Sequence, residues 1–135
     1  MKPSPSLKPT ILAADDELEL LDLLQMMLPM HGYNVHISYC AENIFDMIHE
    51  LTPDLILLDV DMGKVDGAVV CTLIKSNKST ANIPVLLVSA DEQLAFISRR
   101  CGADGFIKKP FSTDDVDKKL YELVGYKSNS LTASA

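Results

Sequence analysis

The sequence contains no apolar run approaching the ~20 residues that a membrane-spanning helix needs. Its first residues, Met1-Lys2-Pro3-Ser4-Pro5-Ser6, have no apolar signal region behind them. Positive charge is in deficit. Twelve Lys and Arg face 19 Asp and Glu, a net charge of −7, so non-specific nucleic-acid binding is not expected from bulk electrostatics. Cysteine is scarce: Cys40, Cys71 and Cys101 are odd in number, widely spaced and without a C-x-x-C. That argues against a disulfide framework and against a thiolate zinc site, and favours reduced, buried or half-buried thiols in a cytoplasmic protein. His31, His36 and His49 show no zinc-ligand spacing. Both common phosphate-cradling motifs are missing. There is no G-x-x-x-x-G-K-[ST], and no G-x-G-x-x-G follows the first strand-like run. That run leads instead into Ala14-Asp15-Asp16-Glu17, which would repel an anionic phosphate loop.

What is present is an alternation of two segment types within 135 residues, a length that suits one domain. Short Ile-, Leu- and Val-rich runs at Ile11–Ala14, Val35–Ser38, Leu55–Val60, Val85–Ser89 and Gly105–Lys108 read as strands. The alternating Val35-His36-Ile37 suits an edge strand. Between the runs lie stretches with helical spacing. Ile44, Ile48 and Leu51 share one face, as do Val116, Leu120, Leu123 and Val124. In the first such stretch Glu19, Asp22 and Gln25 form a narrow polar stripe on an otherwise apolar cylinder, which predicts a well-buried helix with Met26, Met27 and Met30 filling core gaps. Pro29 costs about 3 kcal/mol inside a helix, so a kink or an early end is expected there, with Gly32 terminating the segment. Ser112-Thr113-Asp114-Asp115 is a good start for the last helix. Residues 1–8 read as a disordered lead, 9–125 as the folded domain and the Ser-rich 126–135 as a tail.

Strand–helix alternation repeated five times predicts an α/β fold: a doubly wound, five-stranded parallel sheet of order 2-1-3-4-5 with helices on both faces, flavodoxin-like. Its ligand crevice lies beyond the carboxyl ends of the central strands. Asp15 and Asp16 follow the first run, Asp59 the third with Asp61 two residues on, Ser89 ends the fourth, and Lys109-Pro110 follows the fifth. In a parallel sheet these groups converge on one edge. Carboxylates so placed repel each other unless a cation intervenes, and an all-oxygen set suits Mg²⁺ with an incoming phosphoryl group. A carboxylate can act as the nucleophile, with Lys109 as a flexible counter-charge and Ser89 as a hydrogen-bond donor.

These pieces resemble the receiver domain of a two-component response regulator. The resemblance rests on Asp15-Asp16, Leu57-Leu58-Asp59-Val60-Asp61-Met62, Asp66-Gly67, Ser89-Ala90, and Gly102-Ala103-Asp104-Gly105-Phe106-Ile107-Lys108-Lys109-Pro110-Phe111, in that order over about residues 9 to 125. It implies that Asp59 accepts a phosphoryl group from a histidine kinase or histidine phosphotransfer protein. Asp15, Asp16, Asp59 and the Asp61 backbone carbonyl would hold Mg²⁺. Lys109 would contact the phosphoryl oxygens, with Lys109-Pro110 cis. Ser89 and Phe106 would be the switch pair, signalling through the face of helix four, strand five and helix five to a downstream protein. Asp61 and Asp91 would modulate phosphoryl lifetime.

The resemblance further implies a cytoplasmic signalling phosphoprotein, a monomer or weak dimer without direct nucleic-acid or membrane contact. It implies no enzyme activity beyond slow self-dephosphorylation. Gly63 departs from the family's usual proline, which suggests a more flexible loop, and Phe106 lacks the hydroxyl of the commoner tyrosine. Two other readings compete. One is a degenerate receiver that serves as a phosphorylation-independent interaction module. The other is a Mg²⁺-dependent phosphatase, whose paired acids would stand at the first strand rather than the third. Taken singly, Asp15-Asp16 reads as a helix cap, Lys109-Pro110 as a turn and Arg99-Arg100 as a solvated helix face. Lys118 and Lys119 read as balancing Asp114, Asp115 and Asp117.

Overall fold

The computed structural model describes residues 8–40 and 42–125. The N-terminal lead up to residue 7 and the tail from 126 lie outside the described residues. Five strands, β1 (Thr10–Ala14), β2 (Asn34–Ser38), β3 (Leu55–Asp59), β4 (Val85–Ser89) and β5 (Gly105–Lys108), form one sheet of order β2-β1-β3-β4-β5. Every pairing in it is parallel. Four helices connect them, α1 (Leu18–Met30), α2 (Ile44–Leu51), α3 (Gly67–Ser76) and α4 (Leu94–Cys101), and α5 (Thr113–Val124) follows the last strand. The doubly wound, flavodoxin-like arrangement follows from the residues. In a strand, successive side chains point to opposite faces, and here both faces are apolar. Leu12, Ala14, Ile56, Leu58 and Leu87 pack under α2, α3 and α4, against Ile44, Ile48, Val70, Cys71, Ile74 and Leu94. Ile11, Ala13, Leu57, Leu86 and Val88 pack under α1 and α5, against Leu21, Leu24, Leu28, Val116 and Leu120. β2 lies at the edge and is only half-covered along most of its length.

Local chemistry sets the helix ends. Ser112 Oγ accepts from Asp115 N–H at 3.1 Å, and Asp115 Oδ2 accepts from Ser112 N–H at 3.0 Å, a reciprocal cap at the start of α5. Pro29 is the penultimate residue of α1, which stops at Met30. Gly32 follows at φ 92°, and its N–H donates to Pro29 O.

Four side-chain expectations are corrected. α1 is not buried all round: Leu18, Leu23, Met26 and Met30 are exposed, the last at 80%, and of the three methionines only Met27 is core. Leu21, Leu24 and Leu28 already fill the stripe facing the sheet, so the second apolar flank has nothing to pack on. It forms an exposed apolar patch that the sequence pattern did not single out. Cys40, just after the edge strand β2, is exposed rather than buried or half-buried. Cys71 and Cys101 are buried between α3 and α4, and burial together with the neighbouring Cys101 pushes the Cys71 thiol up. On α5, Lys119 pairs with Glu122 at 3.5 Å, and Asp117 lies 3.4 Å from His31 of α1. Arg99 and Arg100 are exposed as expected, with Arg100 5.5 Å over the Phe96 ring.

Candidate functional site

The carboxyl ends of β1, β3, β4 and β5 bring Asp15, Asp59, Ser89 and Lys109 to one spot. Asp15 (0% exposed), Asp59 (1%) and Ser89 (0%) are buried polar groups. Asp16, one residue on, is exposed. Backbone bonds fix the edge: Asp15 N–H donates to Ser38 O, Val60 N–H to Val88 O, and Lys109 N–H to Ser89 O. Lys109-Pro110 is a cis peptide. Gly67 opens α3 against the end of β3. A Cβ there would lie 2.0 Å from Asp59 O, so only glycine allows this approach.

After Asp59 the chain forms a two-residue hairpin, in which Asp61 pairs with Asp66 and Met62 with Val65. Gly63 sits in its turn at φ 62°, which proline, held near −65°, cannot adopt. The loop expected to be flexible forms a paired turn whose backbone favours the glycine.

The electrostatics are unbalanced towards the acids. Lys109 Nζ lies 3.1 Å from Asp15 Oδ2, 3.1 Å from Glu17 Oε1 and 3.7 Å from Asp59 Oδ2. Asp15 Oδ1 accepts from Glu17 N–H at 2.8 Å. Asp15 Oδ2, shut off from solvent, faces the Lys109 ammonium at 3.1 Å without a hydrogen bond of normal geometry. Burial and then the Asp15 charge push the Asp59 carboxyl up to about 7, against a bond from the Asp61 N–H at 3.1 Å and the pull of Lys109. For Lys109, burial alone would lower the pKa. Its contacts with Glu17 and Asp15 and the charges of Asp15 and Asp59 outweigh that, and the pKa is raised.

Asp15, Asp16 and Asp59 each offer one carboxylate oxygen, all within 4.8 Å of one another. That spread is close to the ~4 Å across an octahedral Mg²⁺ shell. With the orphaned buried Asp15 Oδ2, the donor set fits a hard cation.

The other expected residues fall around this centre. Ser89 Oγ donates to Asp61 Oδ2 at 3.0 Å and accepts from Asp91 N–H at 3.0 Å. The Asp91 carboxylate turns away onto Gln93 N–H at 2.8 Å, ahead of α4. Phe106, on β5 opposite Leu87, is 38% exposed. Two contacts were missed from the sequence: Glu17 as a partner of Lys109, and the Asp61 carboxylate as the acceptor for Ser89. Glu17 ends an acidic run and could have been flagged by its place beside Asp15. The Asp61 contact depends on the hairpin and left no signal.

A family model described as the response regulator receiver domain matches residues 11–121. The chain belongs to that family. A similar curated protein is the DNA-binding dual master transcriptional regulator RpaA of Synechocystis, 36% identical over 121 residues. The match takes in 86% of this chain but 49% of the regulator, so this receiver spans about half the length of that relative. Among solved structures, a response regulator from Chloroflexus aurantiacus has a TM-score of 0.82 at 22% identity and shares the fold, covering 88% of this chain and 99% of that one. The signal receiver domain of a signal transduction histidine kinase from Syntrophus aciditrophicus has a TM-score of 0.79 at 27% identity, covering 91% and 98%. Among the described residues of this receiver, no helix is long and apolar enough to cross a membrane.

Proposed function

We propose that this receiver accepts a phosphoryl group on Asp59 from a histidine kinase or histidine phosphotransfer protein and passes the signal on by conformational change. The observation that carries this reading is the buried Asp59 carboxylate at the end of β3, on the same sheet edge as Asp15, Ser89 and Lys109 from the ends of β1, β4 and β5. Asp59 is the nucleophile. Asp15, Asp16 and Asp59, with the Asp61 backbone carbonyl, would hold Mg²⁺, which when bound neutralises charge on the carboxylates and on the phosphoryl oxygens. Lys109 supplies further positive charge, and its 19% side-chain exposure gives it room to follow a phosphoryl oxygen. Ser89 donates its hydroxyl to the phosphoryl group, and Phe106 on the neighbouring strand responds.

The signal leaves through α4, β5 and α5, where Phe106, Arg99 and Arg100 are exposed, to a downstream protein partner. Turnover beyond slow self-dephosphorylation is not expected, because the acceptor is consumed once per cycle. A cytoplasmic site of action suits a partner kinase that presents its phosphohistidine there. Incubation with Mg²⁺ and acetyl phosphate, followed by intact mass, tests the reading. One phosphoryl adduct is expected, absent in Asp59→Asn and absent without Mg²⁺. No adduct from any donor would leave the interaction-module reading in its place.

A further inference from the structure

We propose that the Asp61 carboxylate is an internal competitor for the Ser89 hydroxyl, one that holds the switch residue in its unphosphorylated position. This inference rests on the reading of Asp59 as the phosphoacceptor. Ser89 is wholly buried, and its hydroxyl has one proton to give. That proton goes to Asp61 Oδ2 at 3.0 Å, while Ser89 Oγ itself accepts from Asp91 N–H at 3.0 Å. The hydroxyl's one proton is therefore committed and cannot go to a phosphoryl oxygen until Asp61 releases it.

Asp61 is placed for this by its backbone. Its N–H donates to Asp59 Oδ1 at 3.1 Å, and the hairpin pairing Asp61 with Asp66 fixes the residue beside the acceptor. One residue thus touches the acceptor through its backbone and the switch through its side chain. Asp91, the other acid flanking the site, touches Ser89 through its backbone N–H, while its carboxylate accepts from Gln93 N–H instead.

Phosphorylation changes the balance in two ways. The phosphoryl group offers Ser89 an alternative anionic acceptor. It also places negative charge beside the Asp61 carboxylate, and like charges at close range repel. Asp61 is exposed, so its carboxylate can turn to water without a burial cost. The exchange moves one hydrogen bond from Asp61 to the phosphoryl group and makes or breaks no covalent bond. Asp61 sets how much of the phosphoryl group's binding to Ser89 is spent on release, which makes it a positioning residue.

The test is a double-mutant cycle on the whole chain: the unsubstituted protein, Asp61→Ala, Ser89→Ala and the double variant, each titrated with beryllofluoride in Mg²⁺. A hydrogen bond to a charged acceptor is worth roughly tenfold or more in an equilibrium. Asp61→Ala should therefore tighten beryllofluoride about tenfold when Ser89 is present, and by much less in the Ser89→Ala background. Asp61→Asn, which keeps an accepting oxygen, should fall between the two. Removal of charge alone would give the same factor in both backgrounds, and that additivity would overturn the competition. A second readout needs no ligand: in the free protein, amide exchange at Asp91 should quicken in Asp61→Ala as the Ser89 oxygen is unpinned. Unchanged exchange would count against the proposal. An unsubstituted protein that forms no beryllofluoride adduct would instead overturn the phosphoacceptor reading and the competition together.

Discussion

Two lysine–carboxylate clusters sit at opposite edges of the same sheet, and they are finished differently. At the edge where β4 and β5 begin, Lys75 Nζ donates to Ala81 O and Ile83 O at 2.9 Å each and meets Asp104 Oδ2 at 2.8 Å. Asp104 Oδ2 also accepts from Val85 N–H at 2.8 Å. All three ammonium protons are used, and the carboxylate is tied to the first residue of β4. At the edge where the strands end, Lys109 is shared among Asp15, Glu17 and Asp59. One buried oxygen of Asp15 there has no aligned donor, and the Asp59 carboxyl is pushed up to about 7. The first cluster closes the fold. The second keeps an electrostatic deficit that only an added cation or a proton relieves, and such a deficit marks a site for a ligand rather than a brace.

Substitutions that exchange the character of the two edges sharpen this contrast. The largest effect is expected from Asp59→Asn, which removes the acceptor and abolishes the phosphoryl adduct in intact mass. The same variant reports the deficit. Asp59 is protonated up to about pH 7 in the folded state but only to about pH 3.8 when unfolded. Between those values the native state binds the extra proton, so stability from this group is full below pH 3.8 and is lost as pH rises through 7. Without Mg²⁺, Asp59→Asn should match the unsubstituted protein near pH 4 and exceed it above pH 7, read from denaturant melts.

Lys109→Ala comes next. It leaves the carboxylates without their counter-charge, and the rate of adduct formation from acetyl phosphate should fall about 100-fold. Gly67→Ala should cost about 3 kcal/mol in urea melts, because its Cβ would lie 2.0 Å from Asp59 O and force backbone apart. The smallest effect is expected at the opposite edge. Lys75→Ala breaks three bonds in a half-exposed cluster and should cost about 2 kcal/mol of stability, with adduct formation intact at temperatures below the melt. A loss of phosphorylation there that is not explained by unfolding would erase the distinction between the two clusters.

The sheet was legible from the sequence because its three central strands are buried on both faces. A continuous run such as Leu55–Leu58 has few alternatives once Pro53 and Asp59 bound it. The convergence of Asp15, Asp59, Ser89 and Lys109 was legible for a topological reason: parallel strands put residues far apart in sequence on one edge. What escaped was set by side-chain direction or local turns. Glu17 reaches Lys109 across 92 positions, and Asp61 reaches Ser89 only because the Gly63 turn folds the segment back. The exposed flank of α1 escaped because a helix apolar on two flanks carries a weak period. Spacing alone could not say that Leu21, Leu24 and Leu28 face the sheet while Leu23, Met26 and Met30 face outward.

The central claim, that the strand-end edge is held in electrostatic deficit for a ligand, is tested most directly by carboxyl carbon NMR titration of Asp59 with and without Mg²⁺. The account predicts a midpoint near 7 in the metal-free protein and a marked fall when Mg²⁺ is added. A metal-free midpoint at the ordinary aspartate value of about 4, unmoved by Mg²⁺, would contradict it.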